Sequence, residues 1–176
     1  MPGDSPLTST RGPGSPHPVV SPISGTVASL SSVPHPVFAV GAMGPGLAVV
    51  PDPDVEIVEV QSPIDGVVTR LHPNLFVVSA VSDDDQDNSR SAMDILIHIG
   101  IDTGQLDGQG FSTVVEKHSR VRAGTPVVIY APKELGRMGF DPIVVMTVMG
   151  HDDSRVHYAV IPGEPCESGQ DMFRVE

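Results

Sequence analysis

Between Val19 and Gly150 the apolar residues gather into short runs: GTVASL, GLAVV, EIVEV, GVVTRL, LFVVSAV, DILIHIGI, TPVVIYA and PIVVMTV. Gly, Pro, Asp or Asn bounds each run, and several alternate polar with apolar positions. Short β-branched runs between turn residues are the mark of strands, and their even spacing predicts an all-β fold, a compact antiparallel β-sandwich or barrel. Short helical turns are expected at APKELGRMG and GFSTVVEKHS. The segment SPISGTV (Ser21 to Val27) echoes SPIDGVV (Ser62 to Val68) in the pattern S-P-I-x-G-x-V. Proline cannot donate to a strand ladder, and glycine permits a close backbone crossing. The echo therefore predicts two equivalent corners of a pseudo-symmetric framework, with HSRVRAGTPVV as a third punctuated turn.

The ends of the chain differ from this middle. Residues 1–18 hold little beyond Pro, Gly, Ser and Thr, which cannot offset the entropy of ordering, and are expected to be a disordered tail. Residues 19–150 form the patterned domain. Residues 151–176 turn polar and read as a loose tail with, at most, one extra strand at VHYAVI. The acidic stretch SDDDQDNSRS, residues 82–91, reads as an exposed loop between two strong strands.

Composition narrows the function. The formal charge is −12 and Lys plus Arg number ten, so nucleic-acid binding, which needs clustered positive charge, is not expected. An acidic surface suits a basic protein partner, and solubility alone explains it equally well. Cys166 is the one cysteine, so an intrachain disulfide is excluded. No apolar run approaches a membrane span of about 20 residues and the N-terminus lacks a signal-peptide core; the expected location is the cytoplasm, without membrane insertion.

Candidate chemistry begins with a histidine inside a strand. Side chains on a strand alternate faces, so Ile95, Ile97, Ile99 and Ile101 fall on one face of DILIHIGI. Asp94, Leu96, His98, Gly100 and Asp102 fall on the other. The isoleucine face belongs in the core; the mixed face suits a shallow depression that another molecule can cover. In LHPNLFVVSA, His72, Asn74, Phe76 and Val78 share a parity, which would put Phe76 on a rim around His98. His17, His35, His118, His151 and His157 read as tail, turn or loop residues. A zinc ion held adventitiously by His98 and His72 is the metal reading the chain offers, without a compact ligand spacing such as H-E-x-x-H. No cofactor is expected, and no nucleotide-binding or hydrolase motif is present.

ILIHIGIDTGQLDGQGF, residues 95–111, resembles the active-site signature of the glucose-family IIA component of the bacterial phosphoenolpyruvate-dependent sugar phosphotransferase system. SPISGTV, VPHPVFAVGAMGPGLAVVP, SPIDGVV, RVRAGTPVV and DPIVVM follow in the family's order, from about Val19 to Gly150. The resemblance implies an antiparallel β-sandwich and a phosphohistidine carrier. Its phosphoryl group would come from the phosphocarrier HPr and leave for a cysteine of a IIB domain. His98 would be the phospho-acceptor, Gly100 would fix the ring tautomer through its carbonyl, and Asp102 would lie beside the ring. Val37, Phe38, Met43, Phe76 and Leu96 would form the apolar rim that meets partners. Transporters or metabolic enzymes regulated by the unphosphorylated form are further partners that the resemblance implies.

This sequence also departs from the family pattern. Asn74 stands where relatives carry a second histidine; an amide can donate but cannot become cationic or shuttle a proton. His72, two residues away, is the candidate substitute. Ala92, Gly104 and His35 depart too, His35 standing where relatives often have Asp. The alternative reading is thus a degenerate IIA-like regulatory or binding protein that docks partners but transfers phosphate poorly.

Overall fold

The computed structural model describes residues 16–81 and 93–176. The acidic loop expected at residues 82–91, the departure at Ala92 and the first fifteen residues of the expected N-terminal tail lie outside them. In chain order the strands are β1 (His17–Val20), β2 (Gly25–Ser29), β3 (Gly46–Val50), β4 (Val58–Gln61), β5 (Gly66–His72), β6 (Leu75–Ala80) and β7 (Asp94–Ile99). Then follow β8 (Phe111–Thr113), β9 (Arg120–Val121), β10 (Pro126–Tyr130), β11 (Val144–Met149), β12 (Val156–Tyr158), β13 (Pro165–Cys166) and β14 (Asp171–Val175). Two short helices, α1 (Pro36–Ala39) and α2 (Pro132–Arg137), complete the frame with a few 3-10 turns. All eight apolar runs contain strands, and every strand pairing is antiparallel. APKELGRMG holds α2, whereas GFSTVVEKHS forms β8 and a turn instead of a helix. Its β-branched Thr113, Val114 and Val115 favour extended backbone.

The echo of the two S-P-I segments is structural. Each serine is fully buried and donates to the carbonyl two residues on, Ser21 to Ile23 at 2.6 Å and Ser62 to Ile64 at 2.7 Å. The copies clasp one another: Val20 N donates to Pro63 O and Gln61 N to Pro22 O, each at 2.9 Å. A Cβ on Gly25 would lie 2.1 Å from Val50 O, and one on Gly66 2.2 Å from Ser79 O, so only glycine permits either crossing. The largest sheet, β13-β2-β3-β11-β7-β6-β5-β9, repeats the same arrangement from either end. The smaller sheets β1-β14-β12 and β4-β10-β8 match in the same way.

This symmetry corrects both expected tails. His17 and Pro18 belong to β1 and pair with β14, so the disordered segment does not reach residue 18. Residues 151–176 carry β12, β13 and β14, with Met172 and Phe173 fully buried. They supply the counterparts of β8, β9 and β10: Gly169 N donates to Ser21 O as Gly124 N does to Ser62 O, each at 2.9 Å. Without this segment, half of the pseudo-symmetric core would be open to water.

Strand β7 sits near the middle of the large sheet with both faces covered. Ile95, Ile97 and Ile99 are completely buried in the main core with Phe76, Val144 and Met146. Each contributes about 1.5–3 kcal/mol relative to an exposed side chain. Leu96 packs on the opposite face in a second cluster with Val33, Phe38, Ala48, Val77, Ile101, Ile143 and Val145. Two-sided burial explains why the run is so nearly all apolar. Ile101 leaves the isoleucine face expected of it. The strand ends at Ile99, and Gly100 and Asp102 take positive φ of 73° and 58°, which breaks the alternation.

Candidate functional site

His98 lies on β7 between Leu75 of β6 and Val145 of β11. It is half-buried on the face covered by the second apolar cluster. Phe76 falls opposite Ile97, one position away, and is fully buried in the main core. It cannot be a docking rim; the neighbours on the histidine's face are Leu75 and Val77. A one-residue register step exchanges the two faces of a strand, and that step is what the parity reading lacked.

The other expected rim residues divide into floor and edge. Phe38 is 5% exposed and presents its ring edge-on to the His98 imidazole, with centroids 5.2 Å apart. Leu96 is 6% exposed and forms floor. Met43 is half-buried against the same cluster. Val37, on α1, is exposed, and so is Val40 at the end of that helix, which the sequence reading passed over.

The turn after β7 fixes the ring. His98 Nδ1 lies 2.8 Å from Gly100 O. A carbonyl only accepts, so Nδ1 carries the proton and a neutral ring keeps its lone pair on Nε2. Burial, the largest influence, pushes the His98 pKa below its ordinary value. The Gly100 carbonyl opposes that shift, nearby His35 adds to it, and Asp102 opposes it. The net direction favours the neutral imidazole, the nucleophilic form, at neutral pH.

Asp102 is exposed in the turn after β7, where its charge acts on His98 as the smallest of the four influences named above. Asn74 lies in the two-residue turn between β5 and β6. Its carbonyl accepts from Ile99 N at 2.7 Å, and its Nδ2 donates to Thr103 Oγ1 at 3.4 Å. His72 is exposed at the end of β5, paired with Leu75. Among the described residues no group of three or more His, Cys, Asp or Glu side chains could hold a metal ion.

Two further residues of this region have structural roles that the sequence reading did not assign. His35 caps α1: its Nδ1 accepts from Val37 N at 3.3 Å, and its ring lies 5.3 Å from that of Phe38. A polar residue before Pro36 at the first helical position was the available sign. Thr103, 1% exposed, donates to Ile99 O at 2.6 Å.

His98 is thus half-buried, with Nδ1 facing a glycine carbonyl and apolar side chains at its edge. The family model described as phosphoenolpyruvate-dependent sugar phosphotransferase system, EIIA 1, matches residues 17–154. The chain belongs to this family. The mannose-specific EIIBCA component of Corynebacterium glutamicum is 31% identical over 157 residues, spanning 89% of this chain and 21% of that protein. The glucose-specific EIIA component of Buchnera aphidicola is 31% identical over 133 residues, spanning 74% of this chain and 73% of that protein. This chain thus spans about a fifth of the EIIBCA relative and most of the free-standing EIIA. The fold is similar to that of glucose permease IIA from Mycoplasma capricolum, with a TM-score of 0.72 at 22% identity over 92% of this chain and 97% of that one. No helix among this chain's described residues is long and apolar enough to cross a membrane.

Proposed function

We propose that this EIIA 1 member is a phosphocarrier of a sugar phosphotransferase system, with His98 as the acceptor. Nε2 attacks the phosphorus presented by phosphorylated HPr; the N–P bond forms as the bond from phosphorus to the donor breaks. In the onward step the sulfur of a IIB cysteine attacks, an S–P bond forms, and the electron pair of the broken N–P bond returns to Nε2. The observation that carries this reading is the 2.8 Å contact between His98 Nδ1 and Gly100 O. It leaves Nε2 as the unprotonated nitrogen without any proton transfer before attack. Phosphoryl transfer then depends on in-line positioning and charge stabilisation. Phe38, Leu96, Met43, Val37 and Val40 supply apolar surface for a visiting protein, with Asp102 beside the ring. Asn74 adds no charge there, so compensation of the phosphoryl charge falls to groups brought by the partner. Phosphorylation adds about −1.5 to −2 charges, enough to change how partners meet this face.

The test is incubation with phosphoenolpyruvate and the general phosphotransfer proteins, read by intact mass and by acid lability of the label. One phosphoryl group is expected on the wild type and none on His98→Ala. Labelling that survives His98→Ala would overturn the assignment.

A further inference from the structure

We infer that Thr103 is a positioning residue for His98, acting through the peptide planes on either side of Gly100, and that Asn74 holds Thr103 in that role. A peptide unit is planar, so fixing its carbonyl and its N–H fixes the whole unit. The unit joining Ile99 to Gly100 is held at both ends. Its oxygen accepts from Thr103 Oγ1 at 2.6 Å, and its Gly100 N–H donates to Ile143 O at 2.8 Å. The next unit contains the Gly100 oxygen that faces His98 Nδ1, and its Ile101 N–H donates to Asp141 O at 3.0 Å. The carbonyl that selects the tautomer is therefore aimed by clamps on two consecutive peptide units. Thr103 is the side-chain clamp among these contacts; Ile143 and Asp141 act through backbone carbonyls.

Asn74 grips the same strand end twice. Its own carbonyl accepts from Ile99 N, and its amide reaches Thr103. The Thr103 hydroxyl has one proton, committed to Ile99 O, so it can only accept from Asn74 and the amide must present its NH2. Burial sharpens this dependence. At 1% exposure Thr103 has no water to replace either contact. Its Cγ2 also fills the space over Gly100, 2.5 Å from where a Cβ would stand. The residue at the partner-histidine position thereby supports the geometry of the acceptor instead of adding charge to it.

The effect on transfer rests on the phosphocarrier reading; the effect on the ring does not. Two readouts on the full chain separate them: ¹⁵N imidazole NMR of His98, and the phosphorylation rate by HPr. Thr103→Val keeps the shape and removes the hydroxyl. It is expected to lower the Nδ1–H tautomer population and to slow phosphorylation about ten-fold, the loss matching one hydrogen bond, with KM for the donor unchanged. Thr103→Ser is expected to restore both. Asn74→Ala, at a half-buried position in the turn between β5 and β6, is expected to give a smaller change of the same sign and serves if Thr103→Val does not fold. A folded Thr103→Val or Asn74→Ala with the wild-type tautomer population would overturn the inference. If wild type is not phosphorylated at all, the carrier reading fails while the NMR comparison still decides this one.

Discussion

Gly100→Ala tests the link between backbone geometry and the histidine most directly. Gly100 has φ +73°, in the region where an L-residue brings Cβ too close to the carbonyl that follows. That conformation alone costs alanine about 1–2 kcal/mol. A Cβ there would also stand 2.5 Å from Thr103 Cγ2 and 3.1 Å from Asp141 O. Neither neighbour yields easily, since Thr103 is buried and tied to Ile99 O, and Asp141 O is backbone. Overpacking of this kind costs about 1–3 kcal/mol, so the expected loss is about 2–5 kcal/mol in urea unfolding. Relief of the clash must move the Gly100 carbonyl, and the bond to His98 Nδ1 is worth about 0.5–1.5 kcal/mol. The upper figure corresponds to about a ten-fold change in tautomer ratio and in phosphorylation rate. Gly139→Ala is the control. Gly139 has φ +89° with nothing within 4 Å of its Cβ position, so it reports the conformational cost alone and leaves His98 untouched. The reasoning is refuted if Gly100→Ala matches Gly139→Ala in stability and keeps the wild-type imidazole spectrum.

Other perturbations separate the remaining claims. Because burial holds the folded His98 pKa below its ordinary value, the unfolded chain binds more protons as pH falls from about 6.5. The stability advantage of wild type over His98→Gln should be full above that pH and shrink as pH drops through the folded pKa; a constant gap would contradict the assigned direction. Thr147 on β11 is fully buried, and its hydroxyl lacks a hydrogen-bond partner among the described residues. Thr147→Val is expected to raise stability by about 1 kcal/mol in urea unfolding, and a loss would expose an unseen partner. Phe173→Ala should cost about 3–5 kcal/mol, because the ring is wholly buried; an effect below about 0.5 kcal/mol would return residues 171–176 to the status of a tail. Asn74→His adds a second imidazole and removes the amide contact to Thr103: faster onward transfer to a IIB domain is expected, and a rate no higher than that of Asn74→Ala would show that the imidazole has no part in it.

The legible parts of this protein are those governed by local rules. Short β-branched runs bounded by Gly and Pro gave the eight strands, and the S-P-I echo gave the two clasped corners. Strand parity put Ile95, Ile97 and Ile99 in the core because nothing interrupts the alternation between them. It misplaced Ile101, since a positive φ at Gly100 resets which way the next side chain points. It misplaced Phe76 because parity says which residues share a face and not which face meets the neighbouring strand's histidine. Of the C-terminal strands, β12 falls in VHYAVI, where one was expected, and β13 and β14 were hidden for another reason. DMFRV is short, and two of its five residues are exposed and charged; its burial comes from pairing with β1 and β12, contacts distant in sequence. His35 was read as a turn residue, although Pro36 after it was the local sign of the helix start that it caps.

One asymmetry in a nearly symmetric frame sets the surroundings of His98 apart. The two central strands, β7 and β11, pair with each other, and each ends at a glycine with φ +73°, Gly100 and Gly150. The backbone device is shared; its surroundings are not. A Cβ on Gly150 would meet nothing within 4 Å, while one on Gly100 would strike Thr103 and come close to Asp141. The residues that share the outer face of β11 are Val145, Thr147 and Met149, none able to act as a nucleophile of the imidazole kind. The frame therefore supplies two strand ends followed by a glycine, and at the one walled by Thr103 and the 141–143 segment the Gly100 carbonyl faces His98 Nδ1. The position on β11 that corresponds to His98 in the repeated frame is Thr147, which carries no imidazole. On this argument the reactivity proposed for His98 rests on the hydrogen-bonded turn beyond it more than on the strand that carries it.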